Sequence, residues 1–224
     1  MRLEPTQAEP PREPPPRLWA VAGRCADPHP ADWPQDLVRR LGQRPRRLGR
    51  WAERALHGAL CCLESAGERV LPADAALLVC SLDGAQPALR SALTAVAQGQ
   101  LPLPYTFLQS QAAVMLSALA AHLGWSGDAQ AVARRDPIAL LHTSLLDAPP
   151  GGLLIGWVEE RDARQAPDER ADGGSDAPRA WHHHWLRLRS ADPTALPLPL
   201  DQAPHCGDLA PADLWSTALT HLRA

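Results

Sequence analysis

Three groups of residues in this 224-residue chain are of types that could do chemistry. The first is thiol. Cys25, Cys61, Cys62, Cys80 and Cys206 are odd in number and irregularly spaced, with no CxxC pair, so neither a disulfide framework nor a zinc finger is indicated. Cys61 and Cys62 are neighbours on an expected helix and diverge by about 100°, so at most one faces any site. Both read as small apolar helix residues. Cys80 closes an apolar run, where a nucleophile could sit, but Ser81-Leu82-Asp83-Gly84 follows with no His adjacent. The second group is His182-His183-His184. Successive strand residues face opposite sides, so only His182 and His184 could share a metal. Neither has a Cys, Asp or Glu at ligand spacing, which favours a solvated edge strand; no metal or cofactor is expected. The third group is Arg44, Arg46, Arg47, Arg50 and Arg54. These five guanidinium groups fall within eleven residues at an expected helix start, where they oppose the helix dipole. Their forks suit phosphate and carboxylate partners. The plain alternative is a solvated face, or ion pairs to Glu53, Asp36 or the acidic stretch after residue 160.

Composition limits what these residues can serve. All 22 basic residues are Arg, and the chain has no Lys or Asn. That pattern fits a GC-rich coding bias, which dilutes the weight of Arg counts. A net charge of −3 and a pI near 6.3 argue against a broad nucleic-acid footprint. No apolar run approaches the ~18 residues of a membrane span, and the proline-rich start MRLEPTQAEPPREPPPR, with Glu interspersed and no apolar stretch, is unlike a secretion signal. A cytoplasmic protein is expected. Hydrophobic residues at 45% allow a sizeable core. One Phe and one Tyr leave eight Trp as its bulky members, so core filling is the expected role of Trp.

The elements follow from apolar spacing. Residues 1–17, with six prolines, read as a flexible tail ahead of a single domain over 18–224. Leu18–Ala22 reads as a short buried strand, and Trp33-Pro34 starts a turn of helix. From Arg46 to Ala66 the apolar positions recur at three- and four-residue spacing, an amphipathic helix. Ala75–Cys80 and Gly152–Val158 are continuous apolar runs, as in strands buried on both faces of a parallel sheet. Helices are expected over Gln86–Ala97 and over Gln111–Leu123, the latter Ala-rich and deeply buried. Leu101–Ser110 is expected to be extended because of its prolines. Ala129–Ala133 is a third short strand, Pro137–Leu146 a helix with Pro in its first turn, and Trp181–Arg189 a fifth, edge strand. Residues 161–180 are expected to form a mobile loop, and Pro211–Leu222 a last helix. Strands alternating with helices give an α/β domain with a mostly parallel five-stranded sheet flanked by helices.

The order of these segments resembles the N-terminal half of a β-ketoacyl synthase, and more closely the stand-alone beta-ketoacyl synthase-like N-terminal domain family. The resemblance covers roughly residues 18–190. It is carried by RPRRLGR, by the P-x-x-F-x-x-S segment at Pro104, Phe107 and Ser110, and by Gly124 and Gly127 leading into a strand. It implies a thiolase-like half-fold. It also implies work as a chain-length-factor-like subunit in fatty acid, polyketide or aryl polyene and xanthomonadin-type pigment synthesis, with a catalytic ketosynthase and an acyl carrier protein as partners.

The resemblance also says where a catalyst would keep its nucleophile. A condensing enzyme needs a Cys on a strand-to-helix elbow, here between Val132 and Pro137, and the sequence reads Ala133-Arg134-Arg135-Asp136. The two His that promote decarboxylation come from the second half of a full-length synthase, for which 224 residues leave no room. Where family members carry S-V-H-N-A, this chain has Ser110-Gln111-Ala112-Ala113-Val114. The expectation is a non-catalytic partner. Arg44, Arg46, Arg47, Arg50 and Arg54 are its candidate carrier-protein contacts, and Phe107, Ser110, Gln111 and Met115 its candidate interface or tunnel wall. By the same resemblance, Ala129–Ala133 would pair across a dimer, backed by Gln111–Leu123. Two alternatives stand beside this: an active acyl-transfer enzyme using Cys80 or Cys62 with a partner's His, and a pure interaction scaffold.

Overall fold

A computed structural model describes residues 19–26, 30–134, 137–159 and 182–190. The expected tail, the 161–180 loop, Trp181, Cys206 and the 211–222 helix lie outside those residues. Eleven elements follow one another among those described: β1 (Trp19–Ala26), α1 (Trp33–Leu41), α2 (Arg50–Ser65), β2 (Ala76–Cys80), α3 (Gln86–Ala97), α4 (Pro104–Gln109), α5 (Ala112–His122), β3 (Asp128–Val132), α6 (Pro137–Leu146), β4 (Leu153–Glu159) and β5 (His182–Ser190).

The five strands form one sheet in the order β1-β5-β4-β2-β3. β2 pairs parallel with both β3 and β4, while β5 runs antiparallel between β4 and β1. Four strands therefore share a direction and one opposes them: the sheet is mixed, mostly parallel. Pleating divides each central strand between two cores. Leu77, Val79, Leu154, Val158 and Trp185 pack under α2 and α5, while Leu78, Cys80, Ile155, Trp157 and Leu186 pack against Leu140, Leu141 and Leu145 of α6. The result is an α/β/α sandwich. All six described Trp are buried, as core filling requires.

Helix α2 is the centrepiece of its layer. A Cβ on Gly58 would stand 2.4 Å from the Trp185 ring, and one on Gly156 2.5 Å from the same ring. The two glycines thus let helix and strand close on a full-sized indole. The Arg187 guanidinium seals the far end of this layer. It donates to Glu68 (2.7 and 3.1 Å) and to the carbonyls of Leu188 (2.7 Å) and Gly151 (2.8 Å).

Several local expectations are corrected. The basic helix starts at Arg50, not Arg46, because Pro45 and Gly49 break the run and Arg47 takes a left-handed φ of 66°. The 101–110 segment is not extended throughout: Pro104 occupies the first turn of α4, where its missing N–H is harmless. Helix α5 is not deeply buried. Met115, Leu119 and the following Leu123 face the core at four-residue spacing, and the opposite side meets solvent. β5 is an inner strand, with His183 and His184 buried in its two faces. Among the described residues the edges of the sheet are β1 and β3.

Candidate functional site

The C-terminal ends of β2 and β3 meet at a cavity of about 250 Å³, lined by Trp51, Ser81, Asp83, Ser110, Ala131 and Ala133 among others. In an α/β sheet this end gathers ligands, because strand ends and helix starts leave backbone groups unpaired there. Trp51, at the start of α2, forms one wall and is fixed by its indole N–H donating to the Val158 carbonyl (3.0 Å). Ala133, which directly follows β3, forms another. The sequence reading puts the elbow in the β3-to-α6 connection, of which Ala133 and Arg134 are the described residues.

The floor of the cavity is organised by Glu159, a residue the sequence reading missed. Its carboxylate is buried at the end of β4. It accepts hydrogen bonds from the Leu82 N–H (2.6 Å), the Ser81 hydroxyl (3.0 Å) and the Asp83 N–H (3.1 Å). The Ser81 hydroxyl in turn accepts from the Gly84 N–H (2.9 Å). One acidic side chain thus fixes the whole β2-to-α3 turn. Burial raises the Glu159 pKa, and the three donors pull against that rise. With the folded pKa above the unfolded one, its proton-linked stabilisation is present at low pH and fades as pH rises through the folded value. The available sequence signal was an acidic residue closing an otherwise apolar strand. Glu159→Gln is expected to cost about 1–3 kcal/mol, because an amide cannot accept at both of its heavy atoms and leaves a buried donor unmatched. Urea unfolding of the two proteins checks this.

Cys80 sits near this cavity but is poorly placed to act. Its thiol is buried on the α6 side of the sheet and donates to the Arg134 carbonyl (3.6 Å). Burial pushes its pKa up to about 11. The Cys62 thiol is likewise raised by burial. A second cleft of about 370 Å³ lies on the α6 side of β3, between apolar walls at Leu78, Val132 and Leu140, with Arg134 and Asp147 among its polar residues.

The candidate residues separate. Arg44, Arg46, Arg47 and Arg50 are exposed beside the start of α2, with Arg47 over the Tyr105 ring at 5.6 Å. Arg44 and Arg50 also lie close enough to Glu53 to act on its carboxyl. Arg54 is not part of this surface: at 5% exposure it stacks over Trp33 at 4.9 Å, because one helical turn past Arg50 carries it into the core. Phe107 is exposed on α4, Ser110 lines the 250 Å³ cavity and Gln111 is half-buried. Met115, 1% exposed, belongs to the core between α5 and α2 and reaches no surface.

Two further surfaces were not anticipated together. β3 is a sheet edge, its outer backbone open among the described residues. Leu89, Leu93 and Val96 form an exposed stripe along α3, and Leu101, Leu103, Tyr105, Phe107 and Leu108 continue the exposed apolar surface through α4. Leu101 is 94% exposed. Helix α4 packs between α3 and α5, and α5 packs on β3, so stripe and edge belong to one side of the molecule. No described helix is long and apolar enough to cross a membrane.

No family profile matches the sequence, and no curated protein does. Solved structures do. A chain of the complex of the ketosynthase ApeO with its chain length factor ApeC from Xenorhabdus doucetiae aligns with a TM-score of 0.53 at 15% identity, covering 78% of this chain and 79% of that one. The ishigamide ketosynthase/chain length factor aligns with a TM-score of 0.52 at 16% identity, covering 81% of this chain and 63% of that one. The chain thus shares the thiolase-like α/β fold of these ketosynthase/chain length factor chains.

Proposed function

We propose that the chain is a non-catalytic, chain-length-factor-like subunit that docks on a catalytic ketosynthase in fatty acid, polyketide or aryl polyene-type synthesis in the cytoplasm. The observation that carries this reading is the elbow itself. The strand end where the sequence reading puts a nucleophile presents Ala133 to the cavity, and burial raises the pKa of the nearby Cys80 thiol. Thiolate, not thiol, is the acyl acceptor. The β3 edge and the apolar α3–α4 face support docking: an open strand edge is a template for pairing, and a continuous apolar patch marks an interaction surface. Phe107 belongs to that face, Ser110 lines the cavity where an acyl chain would run, and Gln111 follows it at the start of α5. Arg44, Arg46, Arg47 and Arg50 are the proposed contact for the acidic, phosphate-bearing carrier protein.

Intact mass spectrometry after incubation with acyl-loaded carrier protein tests the catalytic half of this reading. The mass is expected to stay unchanged. A stable acyl adduct on Cys80 or Cys62 would overturn it in favour of an acyl-transfer enzyme completed by a partner's histidines.

A further inference from the structure

Among the described residues, a cluster of thiols with a histidine lies away from the cavity, at the other end of α2. Trp51 lines the cavity and Cys61 is ten residues further along the helix, about 15 Å away at 1.5 Å per residue. Strand β1 crosses close to this end: a Cβ on Gly23 would stand 2.5 Å from the Cys62 carbonyl and 2.6 Å from Ala66. That approach brings Cys25 of β1 into hydrogen-bond contact with Cys61. Both are partly exposed thiols, not bridged to each other. His57, one turn earlier on α2, lies beside Cys61, with Sγ 3.7 Å from Nε2 and 4.0 Å from Nδ1. Its Nε2 is also 2.9 Å from Asp36 Oδ2, and the same carboxylate oxygen accepts from Arg40 Nε at 2.6 Å.

We propose that Cys25 and Cys61 form a reversible dithiol–disulfide switch in which Cys61 is the thiol oxidised first, by a hydroperoxide such as hydrogen peroxide. The Cys61 thiolate attacks one peroxide oxygen, the O–O bond breaks, and the departing hydroxide takes up a proton to become water. The resulting sulfenic acid is then attacked at sulfur by Cys25. The S–O bond breaks, and the oxygen leaves as a second water carrying the Cys25 proton. Two thiols are oxidised and one peroxide is reduced. The environment suits these roles: the Cys25 hydrogen bond, His57 and the Arg40 charge hold the Cys61 thiol well below the usual range, against the opposing effect of burial.

Asp36, His57 and Cys61 also place one potential ligand atom each within 4.8 Å of one another. The sulfur, however, is nearly equidistant from both ring nitrogens and so flanks the imidazole rather than lying beyond one nitrogen lone pair. A metal about 2.0 Å from Nε2 and 2.3 Å from Sγ would hold that sulfur more than about 5 Å from Nδ1. The geometry therefore favours the thiol pair over a metal centre. The switch requires no ketosynthase partner, so its test stands apart from the proposed function.

Peroxide treatment of the reduced full-length chain, followed by intact mass and peptide mapping, tests the proposal. The expected result is loss of two hydrogen atoms, a Cys25–Cys61 linked peptide, and a rise in melting temperature reversed by dithiothreitol. Cys25→Ser should stop at one added oxygen on Cys61, trapped by dimedone. Cys61→Ser should react about tenfold more slowly, having lost the activated thiolate. Failure to form the bridge, a bridge through another cysteine, or one equivalent of zinc protecting both thiols from peroxide would each overturn it.

Discussion

Arg187→Met is expected to lower the unfolding free energy by about 3–5 kcal/mol, the cost of breaking a buried ion pair by removing one partner. Arg187 is 1% exposed and its guanidinium satisfies the Glu68 carboxylate and two carbonyls at once. Methionine fills much of the volume but matches none of them. Arg189 also pairs with Glu68, yet it is half-exposed and cannot reach into the space. The pH dependence should change as well. Although burial opposes it, hydrogen bonding to Arg187 and Arg189 keeps the Glu68 pKa below its ordinary 4.5. A depressed carboxylate pKa contributes stability above the unfolded value, lost as pH falls through the folded one. Denaturant melts across the acid range should therefore show a steeper loss in the parent than in Arg187→Met. Equal midpoints for the two proteins at neutral pH would contradict the ion-pair account.

The double variant Leu93→Glu/Leu101→Glu is expected to leave the isolated chain folded while weakening its complex with a ketosynthase by ~100-fold or more. Both leucines are largely exposed, 59% and 94%, so surface substitution should alter stability by only about 0.5 kcal/mol. Burying two carboxylates in an apolar interface should cost several kcal/mol, and about 1.4 kcal/mol corresponds to a tenfold change in affinity. Unchanged affinity would place the docking surface elsewhere.

Much of the architecture was legible because the central strands are apolar on both faces. Leu77–Cys80 and Leu153–Val158 could only be buried, and a helix lay between successive runs. What the sequence could not reveal was strand order. Trp181, His183 and Trp185 alternate with His182 and His184 as in a solvated edge strand, yet pairing with β1 and β4 places His183 and His184 inside. Helix limits failed where chain breakers sat inside a basic run, at Pro45 and Gly49. Ala133-Arg134 was readable as the link between a strand and a helix, and Ala133 lines the 250 Å³ cavity. Glu159 was not readable, because its partners, two backbone N–H groups and the Ser81 hydroxyl, lie 76 to 78 residues away. Nor was the Cys25–Cys61 contact, which joins a strand to a helix; the i,i+4 spacing of His57 and Cys61 was its one local trace.

The proposed role, a subunit docked on a ketosynthase that influences product length without a covalent acyl intermediate, is met most directly by one measurement. The chain is co-expressed with a catalytic ketosynthase from the same genome, and the purified material is examined by light scattering and by the chain length of the product formed. A stoichiometric heterodimer whose products differ in length from those of the ketosynthase alone is the predicted result. Two separately eluting proteins and an unchanged product would contradict it.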